Sequence, residues 1–229
     1  MVDFKTFEQH IGVAFNDPEL LRQAFTHRSY LNEHRGSVSG HNERLEFLGD
    51  AVLELISTHF LYEKFPTATE GELTAYRAAL VNAVTCAEVA TEIGMNDFLL
   101  LSRGEAKDTG RARNILLANA FEALVGALYI DSGYDVAKSF ITAKLFPKID
   151  EIIREKLWQD AKSLLQEKSQ SVESVTPAYK VLRESGPDHD KQFVVGVYIK
   201  DELAAEGSGK SKQEAEQDAA RQALDKKGW

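Results

Sequence analysis

The spacing of apolar residues changes once along this chain, near Trp158. Before that point apolar positions recur every three or four residues, in segments 20–25, 45–60, 73–93, 115–130 and 136–145. Such spacing stacks side chains on one face of a helix. Turn chemistry interrupts the pattern at Asn16-Asp17-Pro18, at 36–40, at Phe65-Pro66-Thr67 and at Ser132-Gly133. No strand-like alternation occurs in this part, so helix is expected to follow helix from Phe4 to about Lys156. After Trp158 the pattern differs. Residues 160–170 read as a helix, 171–177 as a polar loop, and 179–184, 192–200 and 202–207 as three short strands. Phe193, Val195, Val197 and Ile199 alternate with a period of two. A last helix is expected from Ser211, where Ser211-Lys212-Gln213-Glu214 has capping-box spacing. Its Ala215, Ala219, Ala220, Ala223 and Leu224 form one stripe. A chain of 229 residues accommodates two domains: a mainly α domain over 1–156 and a small α+β domain, ordered α-β-β-β-α, over 160–229.

Composition narrows the setting. The one cysteine, Cys86, excludes an internal disulfide and fits a reducing compartment. The start Met1-Val2-Asp3-Phe4-Lys5 lacks the basic-then-apolar order of a signal peptide. The longest apolar stretch, 115–130, is broken by Asn119 and Glu122 and is short for a membrane span. A cytoplasmic protein without membrane attachment is expected. The net charge of −9 argues against a nucleic-acid partner in its simplest, basic form. Residues 160–229 hold 11 Lys/Arg against 13 Asp/Glu, leaving 16 against 23 in the rest. Any contact with phosphate must therefore use local clusters.

The segment 42–56 carries the most chemistry. At ~100° per residue, Glu43, Glu46 and Asp50 project within ~60° of one another on a helix. Leu45, Phe47, Leu48, Ala51, Val52, Leu53, Leu55 and Ile56 cover most of the remaining circumference. The acids thus occupy a narrow strip of a helix expected to be largely buried, and their mutual repulsion would be relieved by a cation. Glu54 projects onto the same strip, so spacing alone does not say where the strip ends. A solvated acidic face has the same pattern and is the commoner reason for it. Glu122 shifts that balance. It is the one charged side chain in 115–130, and a carboxyl in so apolar a helix must be paired, protonated or metal-bound. Asn119 offers a neutral oxygen one turn earlier. Oxygen donors from two helices suit Mg²⁺, with Mn²⁺ as a substitute, and no Cys/His cluster suggests zinc.

The run His41-Asn42-Glu43-Arg44-Leu45-Glu46-Phe47-Leu48-Gly49-Asp50-Ala51-Val52-Leu53 closely resembles the signature of the ribonuclease III family. Thr26-His27-Arg28-Ser29-Tyr30, Glu70-Gly71-Glu72-Leu73 and Leu117-Ala118-Asn119-Ala120-Phe121-Glu122-Ala123-Leu124 resemble its other blocks, in the same order. The C-terminal part resembles that family's double-stranded RNA-binding domain. The resemblance spans nearly the whole chain and implies a bacterial layout of one endonuclease domain, with the family's helical fold, and one RNA-binding domain. It further implies a homodimer whose endonuclease domains form a valley for duplex RNA. Glu46, Asp50, Asn119 and Glu122 match the family's metal cluster, and Glu43 and Glu70 match acids at the valley's edge. Cleavage by in-line attack of water would leave 5′-phosphate and 3′-hydroxyl ends with short 3′ overhangs. Processing of ribosomal precursor and other structured RNAs is the family's common task.

The chain departs from that pattern at Asn119, where the family usually has Asp. An amide oxygen adds no negative charge, so metal binding is expected to weaken. A natural variant, a weak catalyst and a deliberate substitution all fit; the intact surrounding helix favours the first. Duplex RNA is read through 2′-hydroxyls and phosphates across its grooves. For that task the C-terminal module offers Ser163, Gln166 and Gln170 on one helix face. It also offers the loop 186–191 with His189 and Lys191, and Lys210 and Lys212 beside the last helix's start. Each feature alone is an ordinary solvated surface, and Asp188 and Asp190 oppose phosphate. Two other classes fit in part. A double-stranded RNA-binding protein with weak or no cleavage differs by producing no new 5′-phosphate ends. A nucleotide phosphohydrolase would leave the C-terminal module idle and lacks paired histidines.

Overall fold

The structure, a computed structural model, describes residues 2–34, 40–187 and 191–229. The chain divides into two compact units, Met1–Trp158 and Gln159–Trp229. The expected turn at 36–40 lies, but for Gly40, outside the described residues.

In the first unit the described residues form helices α1 (Phe4–Ile11), α2 (Pro18–Ala24), α3 (Arg28–Glu33), α4 (Glu43–Lys64), α5 (Glu70–Leu80), α6 (Ala83–Glu92), α7 (Gly110–Ser132), α8 (Tyr134–Lys144) and α9 (Lys148–Arg154). Two short 3₁₀ turns, Met95–Phe98 and Glu105–Lys107, precede α7. The single expected helix over 73–93 is two helices. Asn82 ends the run because its side-chain oxygen accepts the N–H groups of Val84 and Thr85, capping α6. The pattern misled because apolar residues continue through the joint. One strand-like feature is also present: Thr26 and Leu100 form an isolated parallel bridge.

The core is built around α7, which packs against α4, α6, α2 and α8. Ala118, Ala120, Phe121, Ala123, Leu124, Val125, Ala127 and Leu128 are all buried on it. This helix is long and apolar enough to cross a membrane, but more than half of its apolar window is covered within the unit. α4 and α7 meet backbone to backbone at Gly49 and Gly126. A Cβ on Gly49 would lie 1.7 Å from the Glu122 carbonyl oxygen, and one on Gly126 would lie 2.2 Å from that of Leu45. Only glycine permits that approach. α4 is not the largely buried helix expected. Phe47, Ala51 and Leu55, at successive i, i+4 positions, are exposed, with Phe47 at 83%. An apolar side chain marks a face that some surface can cover, and composition does not say whether this chain supplies it.

The second unit comprises α10 (Ala161–Glu173), β1 (Ala178–Ser185), β2 (Gln192–Ile199), β3 (Glu202–Gly209) and α11 (Lys212–Lys227). The three strands form an antiparallel sheet in the order β1-β2-β3. Val195, Val197 and Ile199 are buried, as are Ala215, Ala219, Ala220, Ala223 and Leu224 of the α11 stripe. The small alanine side chains let α11 lie close on β3, where a Cβ at Gly207 would come within 2.0 Å of the Ala219 nitrogen. α10 runs through Glu173, beyond the expected end at Gln170, before Ser174 stops it in a left-handed conformation. The Ser211 side chain caps α11 by accepting from the Glu214 N–H, but the Glu214 carboxylate accepts from Lys210 N–H rather than closing the box on Ser211.

Candidate active site and duplex-binding surface

The start of α4 is held by the backbone around it. Asn42 N–H donates to the Thr26 carbonyl at 2.9 Å, and its side chain reaches the Ala24 carbonyl at 3.3 Å. Thr26 stands beside Leu100, whose N–H donates to Phe25 while its carbonyl accepts from His27. Glu43 and Glu46 thereby fall in the first turn of α4, where the helix dipole favours negative charge. Asp50 follows one turn later and is exposed.

The Gly49–Gly126 crossing brings this strip beside α7. Glu122 is part-buried on α7, and Asn119, one turn before it, is part-buried too. Burial, followed by the charges of Asp50 and Glu46, pushes the Glu122 carboxyl up to about 7. Burial, followed by the charges of Glu43 and Asp50, raises Glu46 as well. Cys86 is fully buried under the same cluster, and burial, with Glu122 and Asp50 behind it, keeps its thiol protonated. Among the described residues no three His, Cys, Asp or Glu side chains converge into a ready ion cage. Repulsion acts over longer distances than ligation, so both observations hold: the carboxylates are neighbours whose ends must turn to share an ion. The donor set is all oxygen and net negative, and it carries a charge conflict that a hard divalent cation would remove. It fits Mg²⁺ or Mn²⁺.

Of the other predicted acids, Glu43 borders this cluster, its charge acting on Glu46, while Glu70 heads another helix. Glu43 Oε1 lies 3.3 Å from Arg28 Nη1, and His41 Nδ1 stands 3.8 Å from Oε2. Glu70 opens α5, where its carboxylate accepts from Thr74 Oγ1 at 3.2 Å. Glu54, left undecided by spacing, is engaged by Arg77 Nε at 2.8 Å. The sequence reading missed the partners Arg28 and Arg77. Arg28 lies within the Thr26–Tyr30 block, which was a usable signal; Arg77 sits on another helix with no spacing to betray it.

In the second unit Ser163, Gln166 and Gln170 line one shallow groove with Glu167 and Ser171. The Ser163 hydroxyl donates to Asp160 at 2.6 Å, leaving its oxygen able to accept. Lys191 Nζ pairs with Glu184 at 2.7 Å, and Lys212 Nζ lies 5.8 Å from the Phe193 ring centre. Lys210 is exposed at the start of α11. His189 lies outside the described residues.

A helical unit bearing a carboxylate cluster, joined to an α-β-β-β-α module, is the arrangement of a nuclease with its own duplex-binding domain. A family model described as ribonuclease-III-like matches residues 17–149, and one described as the double-stranded RNA binding motif matches 161–227. Ribonuclease 3 of Bdellovibrio bacteriovorus is 48% identical over 224 residues, covering 97% of this chain and 95% of its own. Ribonuclease 3 of Bacillus licheniformis is 48% identical over 97% of this chain and 89% of its own. The nuclease domain of ribonuclease III from Campylobacter jejuni, in a structure described by flexibility in a region involved in dimer formation, is 38% identical. It covers 63% of this chain and 99% of its own, with a TM-score of 0.57. The chain belongs to the ribonuclease III family and is an endoribonuclease.

Proposed function

We propose that the chain cuts double-stranded RNA with a divalent cation, Mg²⁺ or in its place Mn²⁺, at the α4–α7 crossing. The observation that carries this reading is the close crossing of α4 and α7 at Gly49 and Gly126, which sets Glu122 beside Asp50 and Glu46, whose charges add to burial in raising its carboxyl. Carboxylates forced together in a half-buried site are costly unless a cation joins them. Glu46, Asp50 and Glu122 hold the ion through carboxylate oxygens and Asn119 through its amide oxygen. A cation there supplies positive charge for the scissile phosphate and a lowered pKa for water. Glu43, braced by Arg28, and Glu70 at the head of α5 stand at the edge, where they orient the RNA. The products are 5′-phosphate and 3′-hydroxyl ends with short 3′ overhangs.

The domain over 160–229 positions the duplex through Ser163, Gln166 and Gln170 in one groove, His189 and Lys191 in another, and Lys210 and Lys212 on phosphate. The endonuclease domain over 1–156 pairs with a second copy. The exposed Phe47 and Leu55 on α4 support that reading, since an apolar stripe on a site-bearing helix calls for a cover. The setting is the cytoplasm, with no membrane attachment, and the substrates are ribosomal precursor and other structured RNAs.

The test is a gel of labelled duplex RNA with and without Mg²⁺, followed by end-group analysis, with Asp50→Asn as control. New 5′-phosphate ends that need both the metal and Asp50 are expected. Binding without cleavage would favour the alternative in which Asn119 leaves a duplex-binding protein with little or no activity, a reading supported by the charge missing at that position.

A further inference from the structure

The acidic strip of α4 continues, by spacing, from Asp50 to Glu54 one turn on. On a helix such neighbours have Cβ atoms roughly 5–6 Å apart. Glu54 is nonetheless bound elsewhere. Arg77 of α5 places Nε 2.8 Å from Glu54 Oε2 and Nη1 2.9 Å from Thr58 Oγ1. The Thr58 hydroxyl in turn donates to the Glu54 carbonyl at 2.6 Å. One guanidinium therefore gathers a carboxylate and a hydroxyl that are successive turns of α4. The pair is more than a stray surface contact, because the fork geometry of Arg holds its partners in a fixed direction. Both side chains are only about a third exposed.

We propose that Arg77 is a positioning residue for the metal site: by holding the Glu54 carboxylate away from Asp50, it ends the acidic strip and confines the cation to Glu46, Asp50 and Glu122. The proposal rests on the metal-site reading above. Released, Glu54 would offer a fourth carboxylate next to Asp50 and draw the ion along α4, away from Glu122 on the opposite helix. Loss of Arg77 also removes a positive charge near the ion. Both changes act in one direction on affinity. A unit charge at ~6 Å from a divalent ion in high dielectric corresponds to about tenfold in binding. Metal should bind more tightly while cleavage falls, a split that simple loss of structure does not produce.

The experiment measures Mn²⁺ binding to the full chain by calorimetry, together with duplex-RNA cleavage at saturating Mg²⁺. It compares wild type, Arg77→Met, Arg77→Lys, Glu54→Gln and the double variant Arg77→Met/Glu54→Gln. Expected are about tenfold tighter Mn²⁺ binding and at least tenfold slower cleavage in Arg77→Met, with partial rescue in Arg77→Lys. Glu54→Gln alone leaves the Arg77 charge unpaired and should weaken Mn²⁺ binding by up to about tenfold, with cleavage at saturating Mg²⁺ close to wild type. The double variant should return to within about threefold of wild type in both readouts, which also shows that the Met side chain is tolerated. A double variant as slow as Arg77→Met, or unchanged Mn²⁺ affinity in Arg77→Met, overturns the proposal. Wild-type Mn²⁺ binding that is indifferent to Asp50→Asn would instead remove the metal site, and this role of Arg77 with it.

Discussion

At the scale of single residues, the two helices of the site carry unequal burdens. Glu46 sits in the first turn of α4 and gains from its dipole, whereas Asp50 lies a turn further on and Glu122 in the middle of α7, with no such help. Its carboxyl is raised to about 7 by burial, then by Asp50 and Glu46. The consequence for stability has a definite sign. Between the unfolded value near 4.5 and about 7 the folded chain holds a proton that the unfolded chain has lost, so unfolding free energy falls as pH rises through that window. In metal-free protein, Glu122→Gln should leave stability unchanged near pH 4.5 and raise it relative to wild type by roughly 2 kcal/mol at pH 8. Urea unfolding in EDTA at four pH values measures this; a constant difference between the two proteins would contradict it. The same helix bears Asn119, which adds oxygen but no charge. Asn119→Asp is expected to lower the Mg²⁺ concentration for half-maximal cleavage by about tenfold, because affinity in hard-ion sites follows ligand charge. An identical metal titration would place Asn119 outside the site.

At the scale of elements, the site exists because two helices touch at glycine. Gly49 lies between Glu46 and Asp50, and Gly126 lies one turn beyond Glu122, so the contact that packs the core also sets the carboxylates side by side. Gly49→Ala would set a methyl 1.7 Å from the Glu122 carbonyl, which only separation of α4 and α7 can relieve. A loss of more than ~3 kcal/mol in urea unfolding is expected, at the upper end for an overpacked core. A loss below ~1 kcal/mol would show that the crossing can yield. The long helices α4 and α7 were legible in the sequence, because a 3.6-residue period needs no information from the rest of the fold. So was the alternation of Val195, Val197 and Ile199, all three of which are buried. The joint at Asn82 was not, since apolar residues continue across it and only the cap marks it. Nor was the exposed Phe47–Leu55 face, which depends on what lies opposite. The acids of the proposed site stand out from the pattern of their own helices, α4 and α7, but the Arg77 that engages Glu54 comes from α5, and no local spacing records a contact between helices.

At the scale of the whole molecule, the net charge of −9 and the capacity to bind a polyanion must be reconciled. The first unit carries most of the excess acid, part of it gathered in the α4–α7 cluster where a cation would offset it. In the second unit Lys162 pairs with Glu216, Lys191 with Glu184, and Lys200 and Lys227 with Glu173. Lys210 and Lys212, at the head of α11, are exposed and have a helix start beside them, so the phosphate contact proposed there would be local rather than diffuse. Each phosphate neutralised releases counterions, and affinity should fall with salt in proportion to their number. Because each unit has its own core, removal of residues 159–229 should leave a first unit that unfolds cooperatively and retains its Mn²⁺ affinity. Its affinity for long duplex RNA should drop at least tenfold. The slope of log K against log salt should become shallower by about 2, as expected for two or three lost phosphate contacts. Filter binding at several salt concentrations measures both quantities. If the truncated chain keeps the affinity and the slope of the full chain, the duplex is held by the endonuclease unit alone.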